Sequence, residues 1–165
     1  VAHNAYQQDH GGDLYRRGLY TFWKRSIVYP AFAVFDAPSR EICTAIRPVT
    51  NTPLQAFVML NDLTYVEAAR VFAERMLTSH KTPGDRLATA FRMTTSRKPG
   101  EADRAILQRA LERSLTFYRE NPEQADAFRQ SGEYPPAEGL DAIEVAAYGN
   151  VMNMILNTDE ALTRE

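Results

Sequence analysis

Apolar positions recur at helical spacing along most of the chain, and no useful stretch alternates as a half-buried strand would. Leu14, Tyr15, Leu19, Phe22 and Trp23 predict a first helix over 13–25, with Asp13 as N-cap. Arg16, Arg17, Lys24 and Arg25 then fill its other face, with Trp23 turned inward as a core anchor. Pro30, Pro38 and Pro48 break up residues 26–52, predicting a long ordered loop. Within it, Phe32, Val34 and Phe35 fit one short extended piece, and 38–43 one helical turn.

Helix-start signals are dense from Thr52 onward. Thr52-Pro53-Leu54-Gln55 combines a capping box with Pro at the first helical position, and predicts a helix over 53–61. Thr64 to Glu67 repeats the capping pattern before a helix over 64–79, with Val66, Ala69, Phe72, Ala73 and Met76 on one stripe. Thr82-Pro83 opens another helix, with Leu87, Ala90 and Phe91 inward. Pro99-Gly100 precedes a helix over 101–119 lined by Leu107, Leu111, Leu115 and Tyr118. Asn121-Pro122 opens a short helix ending near Gly132, and residues 134–139 form a loop. Asp141 caps a last helix burying Ile143, Ala147, Val151, Met154 and Ile155. The expected fold class is all-α, a compact bundle of about six or seven helices with the long ordered loop near 26–52. A length of 165 residues fits one domain over 1–165, with 1–12 a loose leading segment discouraged from structure by Gly11 and Gly12.

Composition excludes more than it suggests. A net charge of −2 gives no drive toward nucleic acid, which calls for a clustered basic face. No apolar run approaches the ~20 residues of a membrane span, and the first residues do not form a signal peptide. Cys43 stands alone, so no disulfide forms within the chain, and a small buried hydrophobe is the expected role. His3, His10 and His80 lack the spacing of a metal site, so none is expected. Phosphate loops, nucleophile elbows and covalent-haem motifs are missing too, so no cofactor and no catalytic residue is assigned.

The most informative polar cluster surrounds the long loop. It holds Asp36, Ser39, Arg40, Thr50, Asn51, Thr52, Gln55, Asn61 and Asp62. As a pocket for a polar ligand, Arg40 offers a planar fork, Asn51, Gln55 and Asn61 offer amides, and Asp36 and Asp62 offer carboxylates. With Glu41, those acids could supply a pair for glycosidic acid–base chemistry. The structural reading is favoured. It has Asp36 making an Asx-turn before Pro38, Arg40 bridging carbonyls and Asp36, and Asp62 joining two helices. The stretch Tyr15, Arg16, Arg17, Tyr20, Trp23, Lys24, Arg25 resembles a stacking surface for nucleic acid or glycan, but ordinary amphipathicity accounts for it.

Three blocks carry a resemblance: RRGLYTFWKRS over 16–26, FDAPSREICT over 35–44, and TNTPLQAFVMLND over 50–62. With VEAARVFAERML, RLATAFRMTTSRKPGEAD and NMILNTDEALTRE downstream, the chain resembles domain-of-unknown-function family 1553 from about residue 13 to its end. The resemblance implies the C-terminal portion of a larger, planctomycete-type exported protein, periplasmic or extracellular. Upstream domains of the same parent would be its partners, one of them cytochrome c-like and so a carrier of haem that this chain lacks. The family has no established catalytic residues. The loop between Cys43 and Asn51 carries fewer basic residues than the family leads one to expect, which weakens any anion-binding role there. The leading expectation is a non-catalytic scaffold or interaction domain. The alternatives are a polysaccharide-active or polysaccharide-binding module, and a docking surface for the cytochrome c-like domain.

Overall fold

The computed structural model describes residues 7–23, 28–46 and 48–163. The leading segment through residue 6 with His3, the Lys24 and Arg25 end of the first expected helix, Arg47, Arg164 and Glu165 lie outside them. All regular elements among the described residues are helical, with no strand. None of the helices is long and apolar enough to cross a membrane. The chain divides into two compact units, Val1–Gln55 and Ala56–Glu165.

In the first unit the helix expected over 13–25 does not form over its described residues, 13–23. Two 3-10 turns, Gly11–Tyr15 and Gly18–Tyr20, stand there instead, separated by Arg16 and Arg17 in extended backbone. Glycine disfavours helix through lost backbone entropy, and an amphipathic helix this short is stable only if its apolar face packs. That face is unpacked: Leu19 and Phe22 are 76% and 72% exposed, and Tyr15 and Tyr20 are also exposed. Trp23 anchors a local aromatic cluster. Its ring stacks on Phe32 with centroids 5.3 Å apart, and Tyr29 meets Phe32 edge-on at the same distance.

The piece expected to be extended is helical. Helix α1, Pro30–Val34, starts on Pro30, whose fixed φ and missing N–H suit a first helical position. The turn expected at 38–43 is only bends. Cys43, expected to be buried, is exposed, as are its neighbours Ile42 and Ile46. The physical reason is the lack of a core in this unit: among its described residues only Gln55 is buried.

Helix α2, Pro53–Asn61, begins in the first unit and runs into the second. The second unit continues with α3, Leu63–Ser79, α4, Pro83–Thr95, α5, Glu101–Glu120, α6, Pro122–Arg129, α7, Ala142–Leu156, and α8, Asp159–Leu162. Proline opens α2, α4 and α6, and side-chain caps close orphan amides at the starts of α3, α4 and α7 as well as α2. Thr82 accepts the Asp85 N–H at 3.1 Å, Asp141 the Glu144 N–H at 3.1 Å, and Asp62 the Thr64 N–H at 2.9 Å. Asp62, not Thr64, therefore caps α3, which frees Glu67 from the expected capping box.

Helix α7 is the centre of this unit and packs against α3, α5 and α6. It is buried over most of its circumference, including Val145, Ala146, Ala147, Tyr148, Val151, Met152 and Ile155. A single apolar stripe undercounts such a helix. Of the five residues expected to be buried, Met154 is exposed and Ile143 only half-buried. Gly149 lets α6 approach: a Cβ there would stand 2.4 Å from the Phe128 ring.

Candidate functional site

The capping box at the start of α2 forms as expected. Thr52 N–H donates to Gln55 Oε1 at 2.9 Å, and Gln55 N–H to Thr52 Oγ1 at 3.3 Å. The same Gln55 side chain then ties the preceding loop. Its Nε2 donates to the Val34 carbonyl at 2.9 Å, to Thr50 Oγ1 at 3.1 Å and to Asp36 Oδ2 at 3.4 Å. Asp36 Oδ2 also accepts the Thr50 hydroxyl at 2.7 Å and the Thr50 N–H at 2.9 Å. Asp36 takes φ +58, a left-handed conformation that Asp tolerates better than most residues. It forms this long-range lock in place of the Asx-turn expected before Pro38.

The Thr50 hydroxyl holds the Asp36 carboxyl below its ordinary pKa, against partial desolvation and with help from the Thr50 N–H and Gln55. A depressed folded-state pKa contributes stability above the ordinary aspartate value and loses it as pH falls through the folded value. The protection of the Thr50 amide, its exchange rate taken relative to the intrinsic rate at the same pH, should therefore fall as the pH drops through the folded Asp36 value. Asp36→Asn should show weaker protection than the wild type at neutral pH and no such fall. Amide exchange followed by NMR checks this, and a wild-type Thr50 protection factor that does not change with pH would contradict it.

The other candidates are not gathered with this lock. Arg40, at φ +64, lies over the Trp23 ring at 4.4 Å, and the expected bridge to Asp36 is not made. Asn51 is exposed. Ser39 Oγ accepts the Glu41 N–H at 3.3 Å, and Glu41 is exposed. In the second unit Asn61 Nδ2 donates to the Phe57 carbonyl at 2.8 Å, closing its own helix end, while Asp62 caps α3. His10 is exposed, and His80 Nε2 meets Thr89 Oγ1 at 3.2 Å. Among the described residues no group of three or more His, Cys, Asp or Glu is placed to hold a metal ion.

The strongest polar constellation is one that the sequence alone does not point to. Arg70 on α3 is fully buried. Its Nη1 donates to Glu74 Oε1 at 2.7 Å, its Nε to the Ser131 carbonyl at 3.1 Å, and its Nη2 to the Tyr134 carbonyl. Glu67, one turn earlier, accepts the Glu133 N–H at 2.7 Å and the Tyr134 N–H at 3.3 Å. Together they clasp the loop after α6 onto α3. The available signal is the spacing Glu67, Arg70, Glu74, which puts three charges of alternating sign beside the apolar stripe. Glu67, Arg70 and Glu74 are all buried, and the bonds they make hold this loop in place.

The profile of PSD1, described as a protein of unknown function (DUF1553), matches residues 1–111. The match stops at Leu111, inside α5, so the likeness seen downstream runs past what it covers. No curated protein and no solved structure matches the chain. Because the match covers 111 of 165 residues, the chain belongs to the DUF1553 family.

Proposed function

We propose that this chain is a non-catalytic helical interaction domain of an exported, cytochrome-associated protein, docking upstream domains of its own parent. The observation that carries the reading is an apolar row at the α2–α3 junction. Phe57, Leu60 and Leu63 recur every third residue and are 63%, 47% and 52% exposed, while Met59 between them is buried. Large apolar groups left together on a surface mark interaction sites. The resemblance to family 1553 favours upstream domains as the occupant and a periplasmic or extracellular setting, and any haem would belong to the occupant. A polysaccharide site on Asp36, Arg40, Asn51 and Gln55 has less support: Asp36 and Gln55 are bonded to each other and to Thr50, and Arg40 stacks on Trp23.

The test is titration of this chain with the parent's upstream domains. Phe57→Asp should weaken docking by about tenfold or more, as loss of a central aromatic anchor does. Its helical content should be unchanged, because Phe57 is exposed. Undiminished docking by the variant, or no complex with the wild type, would refute the proposal.

A further inference from the structure

A cleft of about 560 Å³ lies between α4 and the start of α5, lined by Asp85, Thr89, Arg92, Met93, Lys98 and Arg104 among others. Its wall carries three cations and one carboxylate in a chain whose net charge is −2. Asp85 is already engaged, its Oδ2 accepting the Thr82 hydroxyl at 2.6 Å. Among the described residues neither Arg92, Lys98 nor Arg104 forms an ion pair. The neighbouring Arg97 behaves oppositely and is held between Glu160 and Asp103 at 2.7 and 2.6 Å. Asp103 and Glu160 are therefore spent on Arg97, not on the cleft.

Placement of the cations is also informative. Arg92, in the last turn of α4, is favoured there by the helix dipole. Lys98 and Arg104 flank the start of α5, where the dipole disfavours a cation. Arg104 Nε donates to the Pro99 carbonyl at 3.3 Å, which fixes the fork and leaves its terminal nitrogens out of that bond. Guanidinium forks match tetrahedral oxyanions bidentately, and a lysine adds a point charge. We infer that this cleft binds a compact polyanion bearing phosphate or sulfate groups. The site is independent of the apolar row on α2 and α3.

Calorimetric titration of the whole chain with tripolyphosphate and with a sulfated disaccharide tests it. Saturable one-to-one binding of at least one is expected, weakening with salt, and the tighter of the two tells phosphate from sulfate. Arg92→Ala with Arg104→Ala should weaken it about tenfold or more, since two charge-assisted contacts are lost. Arg109→Ala with Arg119→Ala removes the same charge from exposed positions on α5 and should leave affinity nearly unchanged. All four side chains are exposed, so both variants should keep the wild-type melt. Equal losses in the two variants, an unaffected cleft variant, or no binding of either probe would overturn the inference.

Discussion

Arg70→Met should destabilise the second unit by about 3–5 kcal/mol, the usual loss when one partner of a buried ion pair is removed. The substitution keeps much of the side-chain volume but strips every bond the guanidinium makes. Glu74, 4% exposed, would be left as a buried charge without its partner. The Ser131 and Tyr134 carbonyls would lose their donor as well. A double variant, Arg70→Met with Glu74→Leu, removes the stranded charge and should recover part of the loss. It should not recover all of it, because the two carbonyls still lack Arg70. Urea denaturation of the three proteins reads both effects. A loss under about 1 kcal/mol for Arg70→Met would mean that solvent reaches this pair.

Gly132→Ala should cost roughly 2–4 kcal/mol, and for two separable reasons. Gly132 has φ +86, outside the range most side chains adopt without strain. A Cβ there would also stand 1.7 Å from Glu67 Oε2, 2.3 Å from its Cδ and 2.4 Å from its Cγ. The Glu67 carboxylate cannot simply swing away, because it holds the Glu133 and Tyr134 amides. Gly139 separates the two contributions. It has φ +75, and a Cβ there would meet nothing within 4 Å. Gly139→Ala should therefore cost only the strain, about 1 kcal/mol. Equal losses at the two glycines, measured by thermal or urea denaturation, would show that the Glu67 clasp contributes nothing beyond backbone geometry.

Legibility of the fold follows the presence of a partner surface. Proline and capping residues mark the starts of α2, α4 and α6 in the sequence, and these helices begin where those signals stand. Before Pro53 the same periodicity misleads. Leu19 and Phe22 have helical spacing, yet no α-helix forms around them, because spacing says which residues share a face and not whether anything covers it. Cys43 departs from expectation for the same reason. The candidate site is legible in part. Gln55 and Asp36 stand out from sequence, and the structure joins them through Thr50. The Glu67, Arg70 and Glu74 clasp is hidden because its partners lie on the 131–134 loop, more than sixty residues downstream.

Hydrogen exchange compared between this chain alone and the chain joined to the upstream domains proposed as its partners tests the central claim most directly. New protection should appear at the α2–α3 junction, around Phe57, Leu60 and Leu63, with the Asp36, Thr50 and Gln55 lock unchanged. Protection confined to that lock, or none at the junction, would contradict the account.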